Sequence, residues 1–162
     1  MLAFLLLSAP ADAYVYFTVE QITAAYFPGE TPVQQEWRPA PEDNAWLKST
    51  LGYEPAPAYA LLSGTDAVAV LDEQIGQHEP ISIATLVGTD LKVRRVEVMV
   101  YREAYGEAVR APAFRGQFVG LGLSSPMRAG REIQVVSGAT LSSRALSTAV
   151  RRAVALVQAF LT

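Results

Sequence analysis

The sequence predicts a single α+β domain, with an antiparallel sheet flanked by N-terminal helices and followed by a C-terminal helix. Three observations support this fold class. About half of the 162 residues are apolar and 18% are charged, which is typical of one domain with its own core. Helix-like segments come first, and a helix-like segment comes last. Between them lie strand-like segments in direct succession, which favours antiparallel pairing.

The first helix is predicted in residues 18–30, TVEQITAAYFPGE. Thr18 is a suitable N-cap, and Gln21 follows three residues later, so the two side chains can form a capping box. The pair Pro28-Gly29 ends the helix, since proline lacks the backbone donor that the next turn needs.

The second helix is predicted in residues 41–52, PEDNAWLKSTLG. Acidic residues fill its first turn, Lys48 lies near its end and Gly52 follows it, in agreement with the helix dipole and with glycine C-caps. Residues 31–41, which link the two helices, contain three prolines and are predicted to form an irregular connection.

Four strand-like segments follow the helices, with glycine-containing turns between them. In the fourth segment, valines alternate with Arg95, Glu97 and Met99, and this period of two predicts a strand with one buried face. The segments are YALLSG at 59–64, DAVAVLDE at 66–73, PISIATLVG at 80–88 and LKVRRVEVMVYRE at 91–103.

The chain after the fourth strand is rich in glycine until it becomes helix-like again. Residues 103–130 are predicted to form a long loop with one helical turn, and loops of this length are often functional. The β-branched run in 131–136 predicts a strand, and the Ala/Leu/Val/Arg pattern predicts a final helix from about Ser142 to Phe160.

The composition excludes several classes of site. The chain has no cysteine and one histidine, His78. Disulfides, thiolate metal sites, a cysteine nucleophile and a three-histidine zinc site are therefore excluded. The G-x-S-x-G, P-loop and H-E-x-x-H motifs are also missing from the sequence, which argues against the common hydrolase chemistries.

Charge is distributed unevenly along the chain. Residues 1–91 hold 12 Asp/Glu and two Lys/Arg, whereas residues 92–162 hold four Asp/Glu and 11 Lys/Arg. Two interpretations are open: the halves attract each other within one domain, or the basic half meets an anion. Nucleic acid is not the predicted partner, because the pI of about 5.2 is acidic and no basic stripe is interleaved with aromatic residues.

The N-terminal segment resembles an export signal. Residues 1–13, MLAFLLLSAPADA, contain an apolar run that ends in an A-x-A sequence, although no basic residue precedes the run. We predict an export signal or anchor in 1–13 and one functional domain in 14–162, with a periplasmic or other extracytoplasmic location, either free or membrane-anchored. A buried terminal segment is the alternative.

The sequence SGATLSS, residues 137–143, stands where the predicted strand gives way to the last helix. Ser142 or Ser143 can cap this helix, and capping alone would explain the hydroxyl groups. A helix N-terminus with free N–H groups and a nearby glycine, Gly138, is also suited to a phosphate, and Arg144 adds positive charge.

Residues 137–143 resemble the flavin-attachment motif of the FMN-binding domain family, which includes the G subunit of Rnf-type complexes and the C subunit of sodium-translocating NADH:quinone reductases. Three further segments resemble the family in the same order, and so does the helix that ends in Phe-Pro-Gly. The segments are GQHEPISIATLVG from Gly76, VEVMVYREAYGEAV around Glu103, and FRGQFVG around Gln117.

The resemblance implies that a flavin transferase esterifies the Thr140 hydroxyl to the phosphate of FMN, with FAD as donor. Six motif neighbours are implied to surround the attachment point: Ser137, Gly138, Ala139, Leu141, Ser142 and Ser143. The resemblance also implies contacts to the cofactor from Gly76, Glu103 and Gln117. Aromatic candidates to stack on the flavin ring are Tyr101, Tyr105 and Phe118, and basic candidates to stabilise its reduced, anionic form are Arg102 and Arg115. His78 is predicted to be a turn residue.

The function that follows is an exported electron carrier that shuttles electrons between a membrane-bound reductase and a downstream acceptor. The sequence favours a redox carrier or oxidoreductase subunit over an autonomous flavin-dependent reductase, because no clear acid/base pair is present. The alternative is a module of the same fold with non-covalent or lost flavin, acting in sensing or as an accessory subunit. It is motivated by Gln134, which stands where many members of the family carry Asp.

Overall fold

Six strands in one antiparallel sheet, with helices on both of its faces, make up the part of the chain that the computed structural model describes, residues 13–162. The predicted α+β class is therefore confirmed. The helices are α1 (Val19–Tyr26), α2 (Pro41–Leu51), α3 (Pro112–Arg115) and α4 (Thr140–Leu161), and the strands are β1 (Tyr14–Val15), β2 (Val33–Trp37), β3 (Tyr59–Ser63), β4 (Ala67–Ile75), β5 (Pro80–Gly88) and β6 (Val93–Tyr101).

The sheet is a meander in which β2 to β6 lie side by side in chain order, and β1 adds to the free edge of β6. The long hairpin of β4 and β5 pairs Ala67 with Gly88 at one end and Ile75 with Pro80 at the other. The hairpin turn at residues 76–79 therefore projects from the same end of the sheet as the end of β6, where Tyr101 lies.

The two N-terminal helices form as the sequence predicts. Thr18 Oγ1 accepts a hydrogen bond from the Gln21 N–H at 3.2 Å, and Gln21 Oε1 accepts one from the Thr18 N–H at 2.9 Å, which completes the capping box of α1. Gly52 ends α2 in the left-handed conformation at a φ of 84°.

Both faces of the sheet are buried, so the prediction of one buried face for β6 is wrong. Helix α4 and Leu47 of α2 pack on one face, while Ile22 and Tyr26 of α1 cover the other face, on which Met99 of β6 lies. The polar residue of β6 on the covered side, Glu97, is 6% exposed and is neutralised by Arg95 and Arg115, with N–O distances of 3.1 and 3.0 Å.

Residues 31–41 contain a strand and are not irregular throughout. Strand β2 fits between Pro32 and Pro39 and pairs with β3 at the edge of the sheet. The flanking prolines bound the strand, and an edge position leaves one of its sides without ladder partners. The five residues of β2 are free of proline, so they can pair along their whole length.

The region after β6 is more helical and less extended than expected. Within 103–130 the chain forms α3 and 3₁₀ turns at Glu107–Arg110 and Gly116–Phe118. The strand predicted in 131–136 is absent, apart from a single bridge between Ala129 and Ile133. Of the β-branched residues there, Ile133 is buried in the core and Val136 packs against it, whereas Val135 is exposed.

Helix α4 begins at Thr140, two residues earlier than predicted, and continues to Leu161. Its apolar residues pack on the sheet over its full length, so the helix N-terminus is held at a fixed place beside the end of β6. Among the described residues no helix is both long and apolar enough to cross a membrane. The export segment predicted in 1–13 lies, except for Ala13, outside the described residues.

Candidate functional site

The N-terminus of α4 presents Thr140 to solvent. Thr140 is the first helical residue and is exposed, and the N-cap is Ala139, which has no side-chain oxygen with which to cap the helix. No acceptor within residues 13–162 receives the N–H groups of Thr140, Leu141 or Ser142. Three N–H donors therefore remain available around one exposed hydroxyl, at the positive end of a 22-residue helix.

The serines of the motif fix the turn and do not cap the helix, so their predicted capping role is wrong. Ser143 Oγ donates to the Ala139 carbonyl at 2.8 Å and accepts from the Val136 N–H at 3.1 Å. Gly138 has a φ of 75°, a left-handed conformation that glycine adopts without strain. Ser137, Gly138 and Leu141 are all exposed beside Thr140.

Ser142 points to the other side of the helix, where it joins β6. Its Oγ and the Tyr101 hydroxyl are 2.8 Å apart, and the same hydroxyl donates to the Tyr105 carbonyl. A Cβ on Gly106 would lie 2.7 Å from both hydroxyl oxygens, so only glycine lets the loop approach this closely. Burial raises the pKa of the Tyr101 phenol, although its contact with Ser142 opposes the rise.

Glu103 connects the loop after β6 to the β4–β5 hairpin through hydrogen bonds. Its Oε1 accepts hydrogen bonds from the N–H groups of His78 at 2.6 Å and Glu79 at 3.0 Å. Burial would raise the pKa of the Glu103 carboxyl, but the hairpin amides outweigh burial and hold this pKa below its ordinary value. Gly76 N–H closes the same turn by donating to the Glu79 carbonyl at 3.0 Å.

Four other residues that were predicted to contact the cofactor interact with other parts of the protein. The Phe118 ring is fully buried and packs edge-on against Phe114, and the Arg102 side chain, 4% exposed, binds the Pro80 carbonyl at 2.7 Å. Gln117 pairs with the backbone of Gln134 through two hydrogen bonds, and Arg115 is engaged with Glu97. By contrast, Tyr105 is 83% exposed.

The structure thus brings the motif, Tyr101, Glu103 and Gly76 to one end of the sheet. The FMN-binding domain family matches residues 76–155, a range that runs from the hairpin turn through most of α4 and includes Thr140. The chain belongs to the FMN-binding domain family. No curated protein matches the sequence. Membership supports FMN as the cofactor and electron transfer as the general class of function.

The FMN-binding domain also has a cleft that the sequence did not indicate. This α4 cleft, of about 570 Å³, lies between α4, the end of α2 and the segment 126–129. Helical spacing could have pointed to Ser147 and Arg151, since they follow Arg144 on one face. Tyr53, which lines the same cleft, gave no signal because it is distant in sequence.

The residues present fit a phosphate-bearing flavin. Free amides at the start of α4 suit the phosphate, and Ser147 provides a buried side-chain oxygen, 5% exposed, that has no hydrogen-bond partner within residues 13–162. No group of three or more metal-binding side chains occurs in the described part of the chain.

Proposed function

We propose that this chain is an exported electron carrier in which the phosphate of FMN is joined to Thr140 Oγ1. The observation that carries the proposal is the exposed Thr140 hydroxyl at an uncapped helix N-terminus, inside the range that matches the FMN-binding domain family. FMN, when bound, supplies one-electron and two-electron redox chemistry.

The attachment requires a flavin transferase. Thr140 Oγ1 would form a bond to the phosphorus of the FMN portion of FAD, the bond to the AMP portion would break, and AMP would leave. A threonine hydroxyl is a weak nucleophile and must give its proton to a base. The Thr140 hydroxyl has no hydrogen bond to a carboxylate or histidine within residues 13–162, so the transferase must supply that base.

The start of α4 provides a binding site for the anionic phosphodiester. The N–H groups of Leu141 and Ser142 point away from the helix body, and Arg144 lies one turn further along α4. A negative charge at a helix N-terminus gains about 0.3–1 kcal/mol from the helix dipole alone. The tether keeps the flavin at the protein, so weak contacts to its ring suffice.

A carrier fits these residues better than an autonomous reductase. Glu103 is engaged by backbone amides and the Tyr101 hydroxyl by Ser142 and a carbonyl, so neither is poised as an acid or base for a substrate. Electrons would enter from a membrane-bound partner and leave to a downstream acceptor outside the cytoplasm.

Co-expression with a flavin transferase tests the proposal. The wild-type band on a denaturing gel should fluoresce as flavin, and Thr140→Ala should not. Thr148→Ala, a threonine two turns along the same helix, is the matched control and should fluoresce like the wild type. A dark wild-type band beside an active transferase and a fluorescent positive-control protein would contradict covalent attachment.

A further inference from the structure

The α4 cleft is positively charged although the chain as a whole is acidic. Three arginines, Arg128, Arg144 and Arg151, are among the described residues that line the cleft, and none of these lining residues is Asp or Glu. The whole chain has 16 acidic and 13 basic residues, so the cleft is enriched in positive charge. A cleft lined by charges of one sign attracts ligands of the opposite sign.

One face of α4 supplies most of the polar groups of the cleft. Ser147 and Thr148 follow Arg144 by three and four residues, and Arg151 follows Ser147 by four. Such spacings bring side chains together on one face of a helix. Two hydroxyl groups therefore lie between two guanidinium groups, and both kinds of group donate hydrogen bonds to oxyanions.

The Ser147 hydroxyl is the observation that points to a ligand. Ser147 is 5% exposed and lines the cleft, and its oxygen is the buried side-chain N or O atom that lacks a hydrogen-bond partner within residues 13–162. Serines inside helices commonly donate to the carbonyl four residues earlier, as Ser143 does to Ala139 at 2.8 Å, and Ser147 does not. Because a buried hydroxyl without a partner is costly, a ligand that accepts its hydrogen bond is favoured.

The three arginines differ in how many of their nitrogens are already bound. Arg128 donates to Glu132 through two nitrogens, at 3.1 and 2.6 Å, and Arg151 donates to the Thr50 carbonyl at 3.0 Å. That carbonyl lies in the last turn of α2, so Arg151 also offsets the negative end of the α2 dipole. Arg144 is exposed and forms no ion pair or side-chain hydrogen bond within the described residues, so its guanidinium can bind a carboxylate or phosphate group.

The other side of the cleft is suited to an apolar group. It includes the Tyr53 ring and the segment 126–129, in which Met127 is 1% exposed and packs in the core. Met127 has a φ of 51°, which is costly for a residue other than glycine, so packing holds this wall in place. The cleft volume of about 570 Å³ suits a small organic molecule and is more than an inorganic ion would fill.

The phosphate of the proposed FMN is not the missing partner of Ser147. Thr140 precedes Ser147 by seven residues, which corresponds to about 10 Å along the helix at a rise of 1.5 Å per residue. A hydrogen bond spans only about 3 Å. The amides at the start of α4 can reach a phosphodiester on Thr140, but the Ser147 hydroxyl cannot.

We propose that the α4 cleft binds a small organic anion other than FMN, a molecule with a carboxylate or phosphate group on an apolar body. Ser147 and Arg144 donate hydrogen bonds to the anionic group, Arg151 adds positive charge, and Tyr53 and Met127 contact the apolar body. This site goes beyond the proposed electron carrier and does not depend on attachment at Thr140. The chain without flavin should therefore bind the same ligand.

NMR titration of the full chain, produced without a flavin transferase, tests the site. The probes are benzoate and phenyl phosphate, and benzyl alcohol is the uncharged control of similar size. At least one of the two anions should shift the amide signals of residues 126–129 and 147–151, and the tighter one identifies the anionic group. Benzyl alcohol should bind at least about tenfold more weakly, because it has no charged group to accept from the arginine and serine.

Variants of two cleft residues locate the binding. Ser147→Ala and Arg144→Gln should each weaken the tighter probe about tenfold, since each removes a hydrogen bond to a charged group. Ser147→Ala should not lower the urea midpoint of the unliganded chain, because its hydroxyl has no partner in residues 13–162 to lose. Arg38→Gln, in an exposed pair with Glu36 and outside the cleft lining, removes the same charge and should bind the probe like the wild type.

Three results would overturn the inference. They are no binding of either anion by the folded wild type at up to about 10 mM, equally tight binding of benzyl alcohol, and unchanged binding in both cleft variants.

The flavinylated chain separates this inference from the proposed function. With FMN confirmed by intact mass, it should bind the probe as tightly as the flavin-free chain does. Loss of binding on flavinylation would show that FMN occupies the cleft, which would overturn a separate ligand and leave the attachment at Thr140 intact. Absence of the FMN mass increment would defeat the attachment, while probe binding by the flavin-free chain would still support the anion site.

Discussion

At the scale of single residues, the site contains two kinds of side chain: those with hydrogen-bond partners in the protein, and those without a partner in the described residues. Glu103 belongs to the first kind, because backbone amides of the hairpin satisfy its carboxylate. Thr140, Arg144 and Ser147, whose side-chain N and O atoms have no partner within residues 13–162, belong to the second. We therefore expect Glu103 to act on stability and on the position of the loop, and Thr140 to act on attachment of the cofactor.

Glu103→Gln should weaken folding in a pH-dependent way. The lowered pKa of Glu103 means that its stabilisation is present above about pH 4.3, the ordinary pKa of a glutamate, and is lost as pH falls through the folded-state pKa. We expect the free energy of unfolding of the variant to lie about 1–2 kcal/mol below that of the wild type at pH 7, since the side chain is partly exposed. This difference should become smaller towards pH 3. Urea unfolding at several pH values measures it.

The control for this prediction is Glu79→Gln, in the same hairpin. The Glu79 backbone N–H donates to Glu103, but its exposed side chain accepts no hydrogen bond within the described residues. The free energy of unfolding of Glu79→Gln should depend on pH in the same way as that of the wild type. Parallel profiles for wild type and Glu103→Gln would show that the hairpin amides do not stabilise the carboxylate.

At the scale of elements, the Gln117 side chain takes the place of a neighbouring strand beside the segment that precedes the attachment motif. Gln117 Oε1 accepts from the Gln134 N–H at 2.8 Å, and Gln117 Nε2 donates to the Gln134 carbonyl at 3.1 Å. These are the two bonds that a neighbouring strand would make. The Gln117 amide therefore helps to hold the segment leading to Thr140, together with the hydrogen bond from the Val136 N–H to Ser143 Oγ.

Gln117→Leu should release this segment while the sheet stays folded. We expect a loss of about 0.5–1.5 kcal/mol for each hydrogen bond at most, because Gln134 is exposed and water can replace the lost partner. Amide hydrogen exchange should accelerate at residues 133–136 and stay slow in β4 and β5. Gln34→Leu, on the exposed edge strand β2, is the matched control. An unchanged rate of amide hydrogen exchange at Gln134 in Gln117→Leu would show that the Gln117 side chain does not hold this segment.

At the scale of the whole molecule, ion pairs join the acidic N-terminal half to the basic C-terminal half. The most buried is Arg152 with Asp72 at 2.7 Å, and Arg94 with Asp66 is an exposed pair at 3.0 Å. The interpretation of two halves that attract each other therefore holds for these arginines. Arg144 is the cation next to the motif that remains without such a partner in residues 13–162.

Asp72→Asn should destabilise the fold by about 3–5 kcal/mol, because it leaves Arg152 charged in a largely buried position. Urea unfolding measures the loss. Glu54→Gln, which breaks the exposed pair with Lys48, should have a much smaller effect on the free energy of unfolding, because solvent screens exposed pairs. Equal effects of the two variants would mean that Arg152 reaches solvent.

The sequence predicted those features that depend on local patterns. The capping box at Thr18, the end of α2 at Gly52 and strands β3 to β6 follow from periodicity and turn residues. Features that depend on packing between distant segments could not be read in this way. The second buried face of β6 needs α1, the core position of Phe118 needs Phe114, and the α4 cleft needs Tyr53 beside Ser147.

The central claim is that FMN is joined to Thr140, and tryptic peptide mapping of the co-expressed protein tests it most directly. Cleavage after Arg131 and Arg144 yields the peptide 132–144, which contains Thr140, Ser137, Ser142 and Ser143. We expect this peptide to carry one FMN increment, with fragment ions that assign it to Thr140. An unmodified peptide, or an increment on one of the serines in the wild-type protein, would contradict the claim.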